Sequence, residues 1–173
     1  MFFRRQGPMA SRKRQLAVTG GFVAVLTASV FINLPALATA GSGFSRSPLS
    51  LGLFGELDVK ADKTGNWDLF LKTKDATDIG VDRLTVDPGG QSGWHKHAGP
   101  TFVTVTKGQL TWVDSNDCVV RTYHEGDGFV EPANHVHRAR NATNTTVEFI
   151  AIQMRPQGSA GRIDTPAPTN CSA

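Results

Sequence analysis

The chain has 173 residues, 39% of them hydrophobic and 19% charged, which suits one packed core and excludes both a multidomain assembly and an intrinsically disordered chain. Its formal charge of +3 is unevenly placed: Arg4, Arg5, Arg12, Lys13 and Arg14 precede residue 15, and every acidic residue follows residue 55. From Gly41 onward thirteen basic residues face fifteen acidic ones, a net charge of −2. A basic body that gathers phosphates is therefore excluded, and nucleic acid is not an expected partner.

Residues 1–40 read as a secretory signal peptide. A basic start is followed by an uncharged stretch with the apolar centre Phe22-Val23-Ala24-Val25-Leu26, then Pro35 and the small residues Ala38-Thr39-Ala40. That order predicts an apolar signal helix, ended by Pro35, with cleavage after Ala40 at an A-x-A site. The alternative is an uncleaved anchor, because Leu16–Leu34 is long enough to cross a bilayer. Cleavage predicts a secreted or extracytoplasmic protein with no membrane contact afterwards. Export also bears on Cys118 and Cys171, the only two cysteines. An even count outside the reducing cytosol predicts a disulfide, and closing so long a loop stabilises by about 4 kcal/mol in the chain-entropy model. Two free thiols or a soft metal site are the alternatives, though no C-x-x-C spacing supports the latter.

In chain order, residues 41–55 are rich in Gly, Ser and Leu and read as an arm, docked by Leu49, Leu51, Leu53 and Phe54. Residues 56–155 form the body, a succession of short alternating segments closed by turn residues. They are Val81–Val86 before Asp87-Pro88-Gly89-Gly90, Thr101–Thr106, Gln109–Val113, Cys118–Tyr123, Gly128–Glu131 and Val147–Met154. No helical period of useful length interrupts them, which predicts a closed antiparallel barrel or sandwich. Residues 156–173 are a Pro/Gly/Ser/Thr-rich tail that cannot order itself by burial.

All five histidines lie between residues 95 and 137, and four form pairs at i, i+2: His95 with His97, and His135 with His137. In a strand this spacing puts both rings of a pair on one face, as chelation requires. The flanking residues carry a resemblance to the cupin family. Its first motif, Gly, five residues, His-x-His, three or four residues, Glu, six residues, Gly, is met by Gly89, His95, His97, Thr101 in the Glu place, and Gly108. Its second, Gly, five residues, Pro-x-Gly, two residues, His, three residues, Asn, is met by Gly126, Pro132, Asn134 in the Gly place, His137 and Asn141. Asn for Gly at residue 134 is mild, because Asn tolerates a left-handed backbone.

The resemblance implies an all-β, antiparallel double-stranded β-helix or jelly-roll barrel, and one divalent transition metal (Fe, Zn, Ni, Cu or Mn) held by His95, His97 and His137. Thr101 is a poor replacement for the family's Glu ligand, so the expected site has no carboxylate and keeps a +2 charge that favours a small anionic ligand. Thr101 and His135 are the candidates for a pocket group or fourth ligand, with His135 also read as a loop histidine at the barrel mouth. Val103 and Val105 share the inward face of Thr101 and should wall the pocket. Asn141 is expected to bond backbone, and His124 to be solvated. Glu131 and Glu148, the remaining general-base candidates, have no place assigned by the sequence. Three functions follow: a metal-dependent enzyme on a small molecule, such as an oxygenase; a non-catalytic metal or small-ligand binding module; and a structural barrel. A homodimer formed through the arm is carried as a further expectation.

Overall fold

The structure is a computed structural model and describes residues 37–171. The expected signal helix and the alternative anchor lie outside the described residues. Among the described residues there is no helix, and twelve strands account for the architecture: β1 (Ser42–Phe54), β2 (Asp58–Thr64), β3 (Trp67–Lys72), β4 (Thr77–Gln91), β5 (His95–Lys96), β6 (Thr101–Lys107), β7 (Gln109–Asp114), β8 (Val120–His124), β9 (Gly128–Glu131), β10 (His137–Arg140), β11 (Val147–Pro156) and β12 (Ile163–Asp164). Ten of them make one curled antiparallel sheet, while β2 and β3 form a separate hairpin. One run of the large sheet is β1-β4-β11-β6-β9; the other is β12-β5-β10-β7-β8, and β4 joins the two by pairing with β10 at Gln91 and Arg140. This is the all-β double-stranded β-helix.

Period-two alternation decides what faces inward. On β6, Thr101, Val103 and Val105 are buried while Phe102 and Thr104 are exposed; on β11, Val147, Phe149, Ala151 and Gln153 point in. The apolar core gathers Val86, Val103, Val105, Leu110, Trp112, Ala139, Val147 and Phe149 at one end of the barrel. Removing such side chains from water, at about 25 cal/mol per Å² of apolar surface, is the main force holding the two runs together.

Three features differ from the expectations. The turn expected at Asp87–Gly90 is a wide irregularity inside β4, which continues to Gln91, and the register of β1 against β4 jumps from Phe44–Val86 to Ser42–Gln91. Asn141 makes this conformation affordable: its Nδ2 donates to the carbonyls of Val86, Asp87 and Thr145 at 3.0, 3.1 and 2.7 Å, and its backbone N–H donates to Gly90 O at 2.9 Å. The arm is not docked by its leucines. It is strand β1, held by a backbone ladder to β4, and Leu49, Leu51, Leu53 and Phe54 remain 41–67% exposed. The segment 58–72, unassigned by the sequence beyond general alternation, folds as the β2–β3 hairpin around Gly65, whose φ of 62° glycine adopts without steric cost.

Cys118 and Cys171 form a disulfide with Cα atoms 5.3 Å apart. The tail is therefore not a loose end: β12 pairs with β5, and Asn170 Nδ2 donates to Ser115 O at 2.8 Å.

Candidate metal centre

Two facing rungs of the barrel build the site. On one run, β5 and β10 are paired so that His95 lies opposite His137, and His97 follows directly after β5. On the other, β11, β6 and β9 align Gln153, Thr101 and Glu131. The loop carrying the second motif is tied back to the first, because Asn134 donates its N–H to His97 O at 2.8 Å and adopts φ of 62°, the left-handed backbone that Asn accommodates. His95, His97 and His137 are buried, and one ligand atom from each lies within 4.8 Å of the others.

The orientation of the rings is as informative as their proximity. His95 Nδ1 lies 3.0 Å from Gly93 O, His137 Nδ1 3.0 Å from His135 O, and His97 Nδ1 2.6 Å from Gly161 O. Only an N–H can bond a carbonyl, so each ring donates from Nδ1, which leaves Nε2 as the atom with which it can bind a metal. Burial, then the neighbouring His137 and Arg162, lowers the His95 pKa to about 2, and burial likewise lowers that of His137. Those two imidazoles are therefore neutral near pH 7, the form that binds metals.

The expected absence of a carboxylate is corrected here. Glu131, buried on β9, places Oε2 3.1 Å from His97 Nε2 and Oε1 3.4 Å from His137 Nε2. Thr101, in the motif's Glu place, is paired across the sheet with Glu131, so the acid is supplied from the adjacent strand. Burial alone would raise the Glu131 pKa; His137 and His97 facing it outweigh that, and the net direction is down. A divalent ion with three neutral imidazoles and this carboxylate would leave the site at +1, not the +2 expected. Thr101 lines the cavity, fully buried, and its Oγ1 has no hydrogen-bond partner. His135 is not brought into the cluster: its Nδ1 lies 3.0 Å from Asp114 Oδ2 and 2.8 Å from Asn116 Nδ2, and the ring is 42% exposed. Val103 and Val105 face inward but belong to the apolar core, and His124 is exposed in its turn, 3.7 Å from Asp127 Oδ2. Glu148 pairs with Lys107 on the outside.

These residues fit a metal ion. Lone pairs of two imidazoles face carboxylate oxygens, an arrangement of like partial charges that a cation between them resolves, and His137 Nε2 is buried without a hydrogen-bond partner. Above the cluster opens a cavity of about 410 Å³, with Phe44, Leu84, Phe149 and Ala151 on its apolar side and Arg46, Arg155 and Arg162 among its polar lining.

Glu131 stood in the sequence only as a general-base candidate without a place, because nothing in its local sequence marks it as facing the histidines. The one available signal was its place directly before Pro132, opposite Thr101 once the two strands are set in register. Gly161 O, a backbone group in the tail, has no sequence signal at all.

Residues 82–153 match the family model for the cupin domain. Solved structures of similar fold include the polyketide cyclase RemF from Streptomyces resistomycificus, at 14% identity and a TM-score of 0.45 over 53% of this chain and 63% of that one. A conserved double-stranded β-helix protein from Klebsiella pneumoniae is 21% identical, with a TM-score of 0.44 over 65% and 86% of the two chains. A cupin domain from Bordetella pertussis is 19% identical, with a TM-score of 0.40 over 59% and 95%. This chain thus spans less than two thirds of the cyclase's length. No curated protein matches its sequence.

Proposed function

We propose that this chain, residues 82–153 of which match the cupin domain model, binds one divalent transition metal through His95, His97 and His137, beside Glu131, and acts as a metal-dependent enzyme on a small, partly apolar anionic molecule. The observation that carries this reading is the convergence of three histidines, each with Nδ1 committed to a carbonyl, two of which, His95 and His97, line an open cavity. Bound there, Fe, Zn, Ni, Cu or Mn would supply Lewis acidity and coordination positions open to a chelating ligand. Phe44, Leu84 and Phe149 exclude water from the apolar side of the ligand, and the arginines orient its charged end. Glu131 is the group within reach of the centre that can hold or take a proton. Export belongs to the same proposal, and the Cys118–Cys171 disulfide is consistent with it.

Metal content of tag-free protein, purified without chelators, tests the metal site. About one ion per chain is expected, lost in His95→Ala. No uptake when Fe²⁺, Zn²⁺, Ni²⁺, Cu²⁺ and Mn²⁺ are each offered overturns it. The alternative, a binding module without chemistry, is favoured by one observation: Arg46, Arg155 and Arg162 each already face a carboxylate, Asp82, Asp78 and Asp164. Ligand turnover that is lost in Glu131→Gln while ligand affinity is kept excludes that module; no turnover across a panel of small carboxylates supports it.

A further inference from the structure

The three histidines are not oriented alike. His95 and His137 bond carbonyls two residues earlier, in the segments that lead into their own strands, whereas His97 bonds Gly161 O, 64 residues away in the tail. A shift of the tail can therefore release one ring while the other two keep their own local acceptors. Around Gly161 the tail is fastened to the strand that bears the histidines: Asp164 pairs with His95, Ile163 with Lys96, and Thr165 N–H donates to Trp94 O at 3.0 Å. Arg162 lines the cavity and donates through Nη2 to Ser92 O. The far end is fixed separately, by the Cys118–Cys171 bond.

We propose that residues Gly161–Cys171 form a disulfide-fastened strap that positions the metal centre, with the Gly161 carbonyl setting the ring of His97 and the disulfide keeping the strap in place. This rests on the assignment of His95, His97 and His137 to a metal. The strap has little burial to order it, and such a segment stays on a surface only through its fastenings. Outer partners that fix a ligating histidine typically alter metal affinity 10- to 100-fold.

The test uses the full chain and Co²⁺ as the probe, read by its visible absorption and by Zn²⁺ competition. Two variants loosen the strap by different means. Cys118→Ser/Cys171→Ser unfastens its end, and Thr165→Pro loosens its near side with the disulfide intact, because it removes the N–H that donates to Trp94 O at 3.0 Å. Near-UV circular dichroism establishes that each variant is folded. Both are expected to bind Co²⁺ about 10- to 100-fold more weakly, with the absorption bands displaced toward those of His97→Ala. A folded Thr165→Pro variant with the affinity and spectrum of the unmodified protein overturns the role of the strap's near side and its Gly161 carbonyl, and the same result for the double serine variant overturns the role of the disulfide. Lowered melting temperature with an unmoved spectrum marks a purely structural strap and also overturns the proposal. Unmodified protein that binds no Co²⁺ or Zn²⁺ is a different result, which removes the metal assignment itself.

Discussion

The same strands supply both ends of the barrel, and the two ends are chemically opposite. On β6 the inward positions run from Val105 and Val103 to Thr101; on β11 from Phe149 and Ala151 to Gln153; on β10 from Ala139 to His137. At the apolar end the buried side chains of Val86, Val103, Val105, Leu110 and Val147 gain from leaving water. At the polar end Thr101 Oγ1 and His137 Nε2 are buried without hydrogen bonds, and such groups cost about 1–3 kcal/mol each. The apolar end therefore provides the rigidity that lets the polar end keep unpaired donor atoms aimed at a common point.

Substitutions at the two ends should separate stability from metal binding. His137→Ala is expected to reduce bound metal from about one ion per chain to none, while the metal-free protein stays folded, as read by elemental analysis and urea unfolding. Leu110→Ala, in the apolar end and fully buried, should do the reverse: a loss of about 2–5 kcal/mol in stability with metal stoichiometry kept. A His137→Ala variant that unfolds breaks the comparison, because the polar end would then be needed for the fold. Glu131→Gln comes next. It retains the shape and removes the charge facing His97 and His137, so metal affinity should fall about 10- to 100-fold. Equal affinity in competition titrations would show that the carboxylate serves the ligand rather than the ion.

The pH dependence of the metal-free protein follows from the same end. His95 in the folded state takes a proton only near pH 2, whereas in the unfolded chain it does so near its ordinary value of 6.5. Below pH 6.5 the unfolded state therefore binds more protons, and stability falls progressively as pH drops toward 2. Above pH 6.5 this histidine contributes no slope. Urea midpoints at pH 7.5, 6 and 5 check the direction, and the drop should shrink in His95→Ala.

The apolar end was readable in the sequence because period-two alternation is a local property, and Val103, Val105 and Phe149 fall where it puts them. His95, His97 and His137 were readable because their spacing survives in the chain. Glu131 was not: its neighbour Thr101 is thirty residues earlier, and only the β6–β9 register brings them together. The strap was half legible. Two cysteines announce a bond, but the acceptor that bond helps to hold in place is a glycine carbonyl, a group every residue possesses. His135 shows the converse: a spacing that resembles chelation is answered instead by Asp114, whose position comes from the pairing of β7 with β10.

The smallest effect is expected at Thr101, and it is the sharpest probe of why the polar end is polar. Its hydroxyl is fully buried, lines the cavity and bonds nothing, while its methyl and backbone pack in β6 beside Val103. Thr101→Val replaces the hydroxyl by a methyl of similar size. If the oxygen has no partner in the working protein, removing it relieves a desolvation cost, and stability should change by less than about 1 kcal/mol or rise. If instead the hydroxyl bonds a metal-bound water or a ligand, the metal-loaded protein should lose stability relative to the metal-free one, because only the loaded form presents that partner. Comparing the two urea midpoints with and without Zn²⁺ decides between them. An equal, near-zero change in both states means that Thr101 merely fills the place beside Glu131. A loss confined to the loaded state makes Thr101 part of the site in its own right.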